Sequence, residues 1–146
     1  MKVNDLIAID VHTHAEVSCR QEPDEASQPF WDGAARSELM LMKCAECGAF
    51  RLPSRQHCDR CLCDEYTWEQ ASGRGTVRTF GVMHQRYHPG FAGEIPYNVT
   101  IVELDEGPRL PTNLVGVSNA DIRVGMPVTV EWERHSDVSL PKFRPA

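Results

Sequence analysis

Cys44-Ala-Glu-Cys47 and, after ten further residues, Cys58-Asp-Arg-Cys61 are the side chains whose type and spacing best suit chemistry in this sequence. A Cys-x2-Cys pair bends the backbone into a knuckle with both sulfurs facing one ion, and two knuckles complete tetrahedral S4 coordination of zinc at about 2.3 Å per bond. Four thiolates leave no position for water or substrate, so the chemistry is structural rather than catalytic. Gly48, directly after the first pair, suits the positive φ that closes such a turn. Leu62 stands at the equivalent place after the second pair, and Cys63 beside it is an alternative ligand or a bystander. Two disulfides are the competing reading, and they require an oxidising compartment.

These sulfurs need a frame. Pro29 suits the first turn of a short helix capped by Ser27 or Gln28, with Phe30, Ala34 and Ala35 near one face and an end near Ser37. Leu39 to Lys43 runs extended into the first knuckle and Phe50-Arg51-Leu52-Pro53 leaves it, so both knuckles sit on small hairpins, the layout of a zinc ribbon. From Ser72 the pattern changes to short strands broken by glycine and proline: Gly75 to His84, Asn98 to Leu104, Arg109 to Val117 and Met126 to Trp132. In the second of these, Val99, Ile101 and Glu103 alternate against Thr100, Val102 and Leu104; in the last, Val128, Val130 and Trp132 share a face. A stretch of about 60 residues is too short for an immunoglobulin sandwich but sufficient for a five-stranded OB-type barrel. Gly73-Arg74-Gly75 lacks the following helix of a phosphate loop and reads as a barrel-entry turn. The closing Leu140-Pro141-Lys142-Phe143-Arg144-Pro145 is apolar and proline-interrupted; it either lies along a partner or folds back on the barrel.

The bulk properties narrow the function classes. The chain has 146 residues, 41% of them hydrophobic, enough for one unit of average size or two small ones. No run of roughly 18 apolar residues is present, which argues against a spanning helix. Leu6-Ile7-Ala8-Ile9 is cut short by Asp10, too early for a signal-peptide core. The expected location is therefore the reducing cytoplasm, where paired cysteines bind metal more often than they oxidise. The net charge is −6, and residues 1–35 hold two basic and seven acidic side chains, while the remainder holds 13 and 14. A near-neutral body argues against a nucleic-acid binder, which normally carries a basic excess to neutralise phosphates.

Pro29-Phe30-Trp31, the run into Cys44-x2-Cys47-Gly48, Cys58-x2-Cys61, Ser72-Gly73-Arg74-Gly75-Thr76-Val77, Pro96-Tyr97, Val102-Glu103-Leu104-Asp105-Glu106-Gly107, Val124-Gly125-Met126-Pro127-Val128 and the closing Leu140 to Pro145 together resemble the DUF35 family over about residues 29–146. The resemblance implies a mainly β chain: an N-terminal helix, a rubredoxin-like zinc ribbon and a five-stranded OB-fold barrel. The implied division is 1–28 as leader and linker, 29–71 as helix and zinc ribbon, and 72–146 as OB-fold domain with a C-terminal tail. It also implies a function, that of a non-catalytic, zinc-containing accessory subunit in lipid metabolism. Such a subunit forms a hetero-oligomer with a thiolase-like or lipid-transfer-protein-type acyl-CoA enzyme and helps to hold the acyl-CoA. The partner then supplies the catalytic groups. Coenzyme A calls for an aromatic shelf, cationic donors and a groove. Arg55, Arg74, Arg78, Arg86, His84, Tyr87 and His88 are suitable types, but equally suit solvated or turn positions, so no acyl-CoA site is assigned.

Residues 1–25 fall outside that resemblance. Ile9-Asp10-Val11-His12-Thr13-His14-Ala15-Glu16 is similar to the opening of the amidohydrolase superfamily, where a His-x-His at the end of a strand binds a catalytic metal. Alternation places both imidazoles on one side of an extended chain. The remaining ligands of such a site come from a barrel of about 200 residues or more, so a fused or leftover leader is expected rather than an active hydrolase. Cys19 has no assigned role. The competing function class is a nucleic-acid-binding module, because zinc ribbons and OB-folds serve that purpose in other settings.

Overall fold

The computed structural model describes residues 23–53, 55–136 and 138–146. Its first element is helix α1, Gln28–Ala35, with a proline in the first turn and Phe30, Gly33 and Ala34 on the buried face. Ser27 occupies the N-cap position without a side-chain cap. Its hydroxyl instead lies 2.6 Å from Asp24 Oδ1, and the same carboxylate accepts from the Ser27 N–H at 2.8 Å. Those two hydrogen bonds hold the Asp24 carboxyl below its usual range. The helix stops where Ser37 takes φ 64° and the Glu38 N–H donates to the Gly33 carbonyl at 2.9 Å. A Cβ on Gly33 would lie 2.9 Å from the Glu38 carbonyl oxygen and against Met40, so the close return of the chain depends on a bare glycine.

That return starts the ribbon sheet, whose strands β1 (Met40–Cys44), β2 (Phe50–Arg51) and β3 (Tyr66–Gln70) are ordered β2-β1-β3 and are all antiparallel. The second sheet follows without a helix between. Strands β4 (Arg74–Met83), β5 (Tyr97–Leu104), β6 (Arg109–Thr112), β7 (Pro127–Arg134) and β8 (Ser139–Pro145) are ordered β6-β5-β4-β7-β8. A parallel bridge between Leu114 and Phe143 joins the two edges and curls the sheet on itself. The Phe143 N–H donates to the Asn113 carbonyl at 3.1 Å, the Val115 N–H to the Phe143 carbonyl at 2.8 Å, and the Thr112 hydroxyl to the Pro141 carbonyl at 2.8 Å. Closure of this kind removes the exposed sheet edges that would otherwise template further pairing. The mainly β architecture with a zinc ribbon and an OB-fold is as expected.

One strand ends earlier than the sequence predicts, and the closing tail takes one of its two predicted courses. The segment from Arg109 to Val117 is a strand only as far as Thr112, because Asn113 and Leu114 turn to meet β8 and Asn98. The closing Leu140 to Pro145 folds back, pairing with β7 from Arg134↔Ser139 to Val128↔Pro145, and thereby supplies the fifth strand. The core is continuous across both sheets: Phe30, Leu39, Leu41 and Ala71 belong to the same buried cluster as Val77, Val102, Leu104, Leu110, Leu114, Ile122, Val128 and Phe143.

Candidate metal centre

The knuckles are built to one pattern. In the first, at the end of β1, the Gly48 N–H donates to the Cys44 carbonyl at 3.1 Å and the Cys44 N–H to the Ala49 carbonyl at 2.9 Å. In the second, the Leu62 N–H donates to the Cys58 carbonyl at 3.0 Å and the Cys58 N–H to the Cys63 carbonyl at 2.8 Å. Gly48 and Leu62 therefore occupy equivalent places, and both adopt positive φ, 71° and 64°. Cys63 matches Ala49 and contributes its carbonyl; its sulfur lies 3.7 Å from the Glu65 carbonyl oxygen. The Ala45 N–H reaches the same carbonyl of Glu65 at 3.1 Å, which ties the first knuckle to the approach of β3.

This pairing brings the Sγ atoms of Cys44, Cys47, Cys58 and Cys61 within 4.8 Å of one another. Cys44 and Cys61 are 3.5 Å apart, as are Cys47 and Cys58. Sulfurs placed about 2.3 Å from a common centre form a tetrahedron with edges of about 3.8 Å, whereas a disulfide needs about 2.05 Å. The donor set therefore fits a four-coordinate soft cation and not a pair of disulfides. Each knuckle contributes one buried cysteine, Cys44 or Cys58, and one exposed cysteine, Cys47 or Cys61.

Their protonation preferences follow from the same turns. Backbone N–H groups at Cys47 and Glu46 point at the Cys44 sulfur and bring its pKa down to about 6 against the effect of burial. The Arg60 and Cys61 N–H groups lower Cys58 in the same way. Cys61 gains an N–H from Cys63, yet the neighbouring Cys44 sulfur, burial and the other two thiols push it up to about 12. Cys47 is also raised: the Ala49 N–H favours its thiolate, but burial and the Cys58 sulfur outweigh it. Four sulfurs this close cannot all ionise without a cation among them, and a divalent metal removes that conflict.

The other residue types singled out by sequence are dispersed. Arg55 lies in the loop between β2 and the second knuckle, where it lines a cavity with His57 and Tyr66. Arg74 and Arg78 lie on β4, near Asp105 at 3.3 Å and Glu103 at 3.9 Å respectively, and Glu103 also accepts from Arg109 at 2.8 Å. His84, Arg86, Tyr87 and His88 belong to the loop between β4 and β5. The His12 and His14 pair and Cys19 lie outside the described residues. Sequence reasoning passed over Arg51, which is buried with its guanidinium donating to the Arg55 and Gln56 carbonyls; a basic residue inside a two-residue strand carries no sequence signal of burial.

A rubredoxin-like ribbon joined to a curled five-stranded sheet defines a class of two-part β proteins. Residues 31–67 match the model of the rubredoxin-like zinc ribbon domain of ChsH2, and residues 68–133 that of its C-terminal OB-fold domain. A DUF35 domain-containing scaffold protein of Methanocaldococcus jannaschii is 33% identical over 97 residues, which cover 66% of this chain and 68% of the relative. The chain belongs to the DUF35 family. A probable enoyl-CoA hydratase alpha subunit of Thermomonospora curvata is 42% identical over 119 residues, covering 80% of this chain. The chain spans only 37% of that protein's length and 42% of a second hydratase alpha subunit, from Mycobacterium tuberculosis. Among solved structures, the Ltp2-ChsH2(DUF35) aldolase is 36% identical with a TM-score of 0.76, covering 86% of this chain and 98% of the matched one.

Proposed function

We propose that this chain is a non-catalytic accessory subunit that docks on a thiolase-like acyl-CoA enzyme, held in shape by one structural zinc on Cys44, Cys47, Cys58 and Cys61. The observation that carries the reading is the likeness to the DUF35 chain of the Ltp2-ChsH2(DUF35) aldolase, which this chain matches over nearly that chain's whole length. The relatives named as hydratase alpha subunits support assignment to an assembly acting on acyl-CoA, and the relative named as a scaffold protein supports the non-catalytic role. A closed S4 shell offers no open coordination position, so the metal is structural, and on this reading the catalytic groups belong to the partner. The reading carries with it a leader over 1–28, a helix and ribbon over 29–71, an OB-fold over 72–146, a cytoplasmic location and a share in holding the acyl-CoA. No described helix is long and apolar enough to cross a membrane.

Nucleic-acid binding is the weaker reading, because Arg74, Arg78 and Arg109 on the outer face of the curled sheet each have a carboxylate within ion-pair distance. Affinity purification from the native host at near-physiological salt distinguishes the two. The expected result is a stoichiometric complex with a thiolase-like chain, and one equivalent of zinc. Recovery of RNA alone, with an affinity that collapses as salt rises, would overturn the proposal.

A further inference from the structure

Within the cysteine quartet, Cys44 and Cys58 are buried, with 2% and 1% of their surface exposed, while Cys47 and Cys61 are exposed residues. The sulfur contacts run between the knuckles and join one residue of each kind: Cys44 meets Cys61 at 3.5 Å, and Cys47 meets Cys58 at 3.5 Å. Each exposed cysteine therefore already touches a buried one across the centre. Cys63 stands outside the quartet, half-buried, with its sulfur 3.7 Å from the Glu65 carbonyl oxygen.

The charge conflict among four crowded thiolates has two remedies. A divalent cation balances the charge, and pairing of the sulfurs removes it. Pairing needs an electrophilic oxidant that reaches an exposed cysteine, and a second sulfur close enough to complete the bond before oxidation proceeds to sulfinic acid. The arrangement of exposed and buried cysteines meets both conditions in each of the two cross-knuckle pairs.

We propose that the quartet is an oxidative modification site for small hydroperoxides, which convert it into two cross-knuckle disulfides, Cys44–Cys61 and Cys47–Cys58, with release of the zinc. The proposal rests on the structural-zinc part of the reading above and adds a second, metal-free state to it. In the first step the thiolate of Cys47 or Cys61 attacks one oxygen of hydrogen peroxide; the O–O bond breaks, a sulfenic acid forms and hydroxide leaves. In the second, the thiolate of the touching buried cysteine attacks the sulfenic sulfur; the S–O bond breaks, the S–S bond forms and a second hydroxide leaves. Each sulfur pair thus gives two electrons to one peroxide, and the hydroxides take protons from solvent to become water. Once both pairs have reacted, no anionic donor is left to hold a cation.

The crossed connectivity decides the structural result. Links between the knuckles hold Cys44 against Cys61 and Cys47 against Cys58, as the metal does, so the ribbon stays stapled after the zinc has gone. Links within a knuckle, Cys44–Cys47 and Cys58–Cys61, would leave the knuckles free of each other. In a reducing compartment cellular thiols reverse such links, which makes the oxidised state transient.

The test titrates hydrogen peroxide into the full, zinc-loaded chain carrying Cys19→Ser and Cys63→Ser, so that only the quartet can react. Glu46 separates Cys44 from Cys47 and Arg60 separates Cys58 from Cys61, so digestion after glutamate and arginine lets mass spectrometry assign every link. Expected are about two peroxide equivalents consumed per zinc released to a chromophoric indicator, the Cys44–Cys61 and Cys47–Cys58 peptides, and a melting temperature shifted above that of the reduced, chelated chain. A thiol reductant followed by zinc should restore the starting state. Links within a knuckle, the pairing of Cys44 with Cys58 and Cys47 with Cys61, sulfinic or sulfonic acids without disulfide, or thiols and zinc retained under excess peroxide would each overturn the proposal. So would an oxidised chain that melts no higher than the chelated one. If the purified chain holds no zinc, the structural-zinc reading fails separately, and the peptide map of the oxidised, metal-free chain still decides the connectivity.

Discussion

At Leu62 a side chain that is 74% exposed sits on a backbone with φ 64°, closing the second knuckle as Gly48 closes the first at φ 71°. The left-handed region brings Cβ against the following carbonyl and costs an L-residue about 1–2 kcal/mol, whereas glycine enters it freely at an entropic cost of about 0.5–1 kcal/mol. Exposure means that little burial offsets the strain. Leu62→Gly should therefore stabilise the zinc-bound chain by about 0.5–1 kcal/mol, measured as a higher urea midpoint with an unchanged slope. Gly48→Leu, which imports the same strain into the first knuckle, should do the reverse. If Leu62→Gly destabilises the fold, the side chain makes contacts that the described geometry does not contain. The departure from the glycine pattern was visible as a residue type at that place; that the turn keeps its left-handed conformation regardless was not, because the hydrogen bonds from Leu62 and Cys58 that enforce it depend on the whole knuckle.

The barrel elements explain which strands sequence could show. In β5, buried and half-buried residues alternate over all eight positions, a period-2 pattern readable from Val102 and Leu104. Its inner face opens on Asn98 and Thr100 rather than on apolar residues. The Asn98 side chain accepts from the Leu114 N–H at 2.7 Å and the Thr100 hydroxyl at 3.0 Å, and donates to the Leu114 carbonyl at 2.9 Å and Asn119 Oδ1 at 3.1 Å. This polar latch holds Leu114 where it bridges to Phe143, so the strand expected to reach Val117 ends early to meet it. Asn98→Ala would leave the Leu114 N–H and carbonyl and the Thr100 hydroxyl buried and unpaired, at a cost of roughly 3 kcal/mol or more. Chemical denaturation should show that loss, and a change below about 1 kcal/mol would mean that water replaces the amide. For β8 the sequence alone does not choose between a docking tail and a barrel strand, because Pro141 and Pro145 lack the N–H that a ladder uses. The strand nevertheless pairs along β7, and at the closure the Pro141 carbonyl accepts from the Thr112 hydroxyl while the Phe143 N–H donates to the Asn113 carbonyl. The cysteine quartet, by contrast, could be read directly, since ligand spacing is local and needs no tertiary information.

Across the whole molecule, ribbon and barrel share one core, so loss of the metal should not remain confined to the ribbon. Leu39 and Leu41 enter the cluster from the β1 approach, Ala71 joins it at the passage between sheets with its N–H on the Leu39 carbonyl at 2.7 Å, and Arg134 of β7 donates to the Ser37 hydroxyl at 2.7 Å. Metal binding in a small S4 module contributes on the order of 10 kcal/mol toward its folding, more than the ribbon's few strands retain unaided. Acid removes that contribution in a defined direction. The folded Cys44 pKa of about 6 lies below its ordinary 9.0, so the stability linked to its thiolate is full above about pH 9 and disappears as pH falls through about 6. A bound cation competes with protons and moves the loss lower still. Zinc release to a chromophoric chelator should therefore be negligible at pH 7 and rise below about pH 6. Trp68 on β3 and Trp132 on β7 report on the two sheets separately. In variants retaining one or the other, chelation at neutral pH should first change Trp68 emission and then lower the melting temperature followed by Trp132. A barrel transition that ignores zinc removal would mean that the ribbon is an independent appendage, and the continuity of the buried cluster through Leu39 and Ala71 would not be energetically coupled.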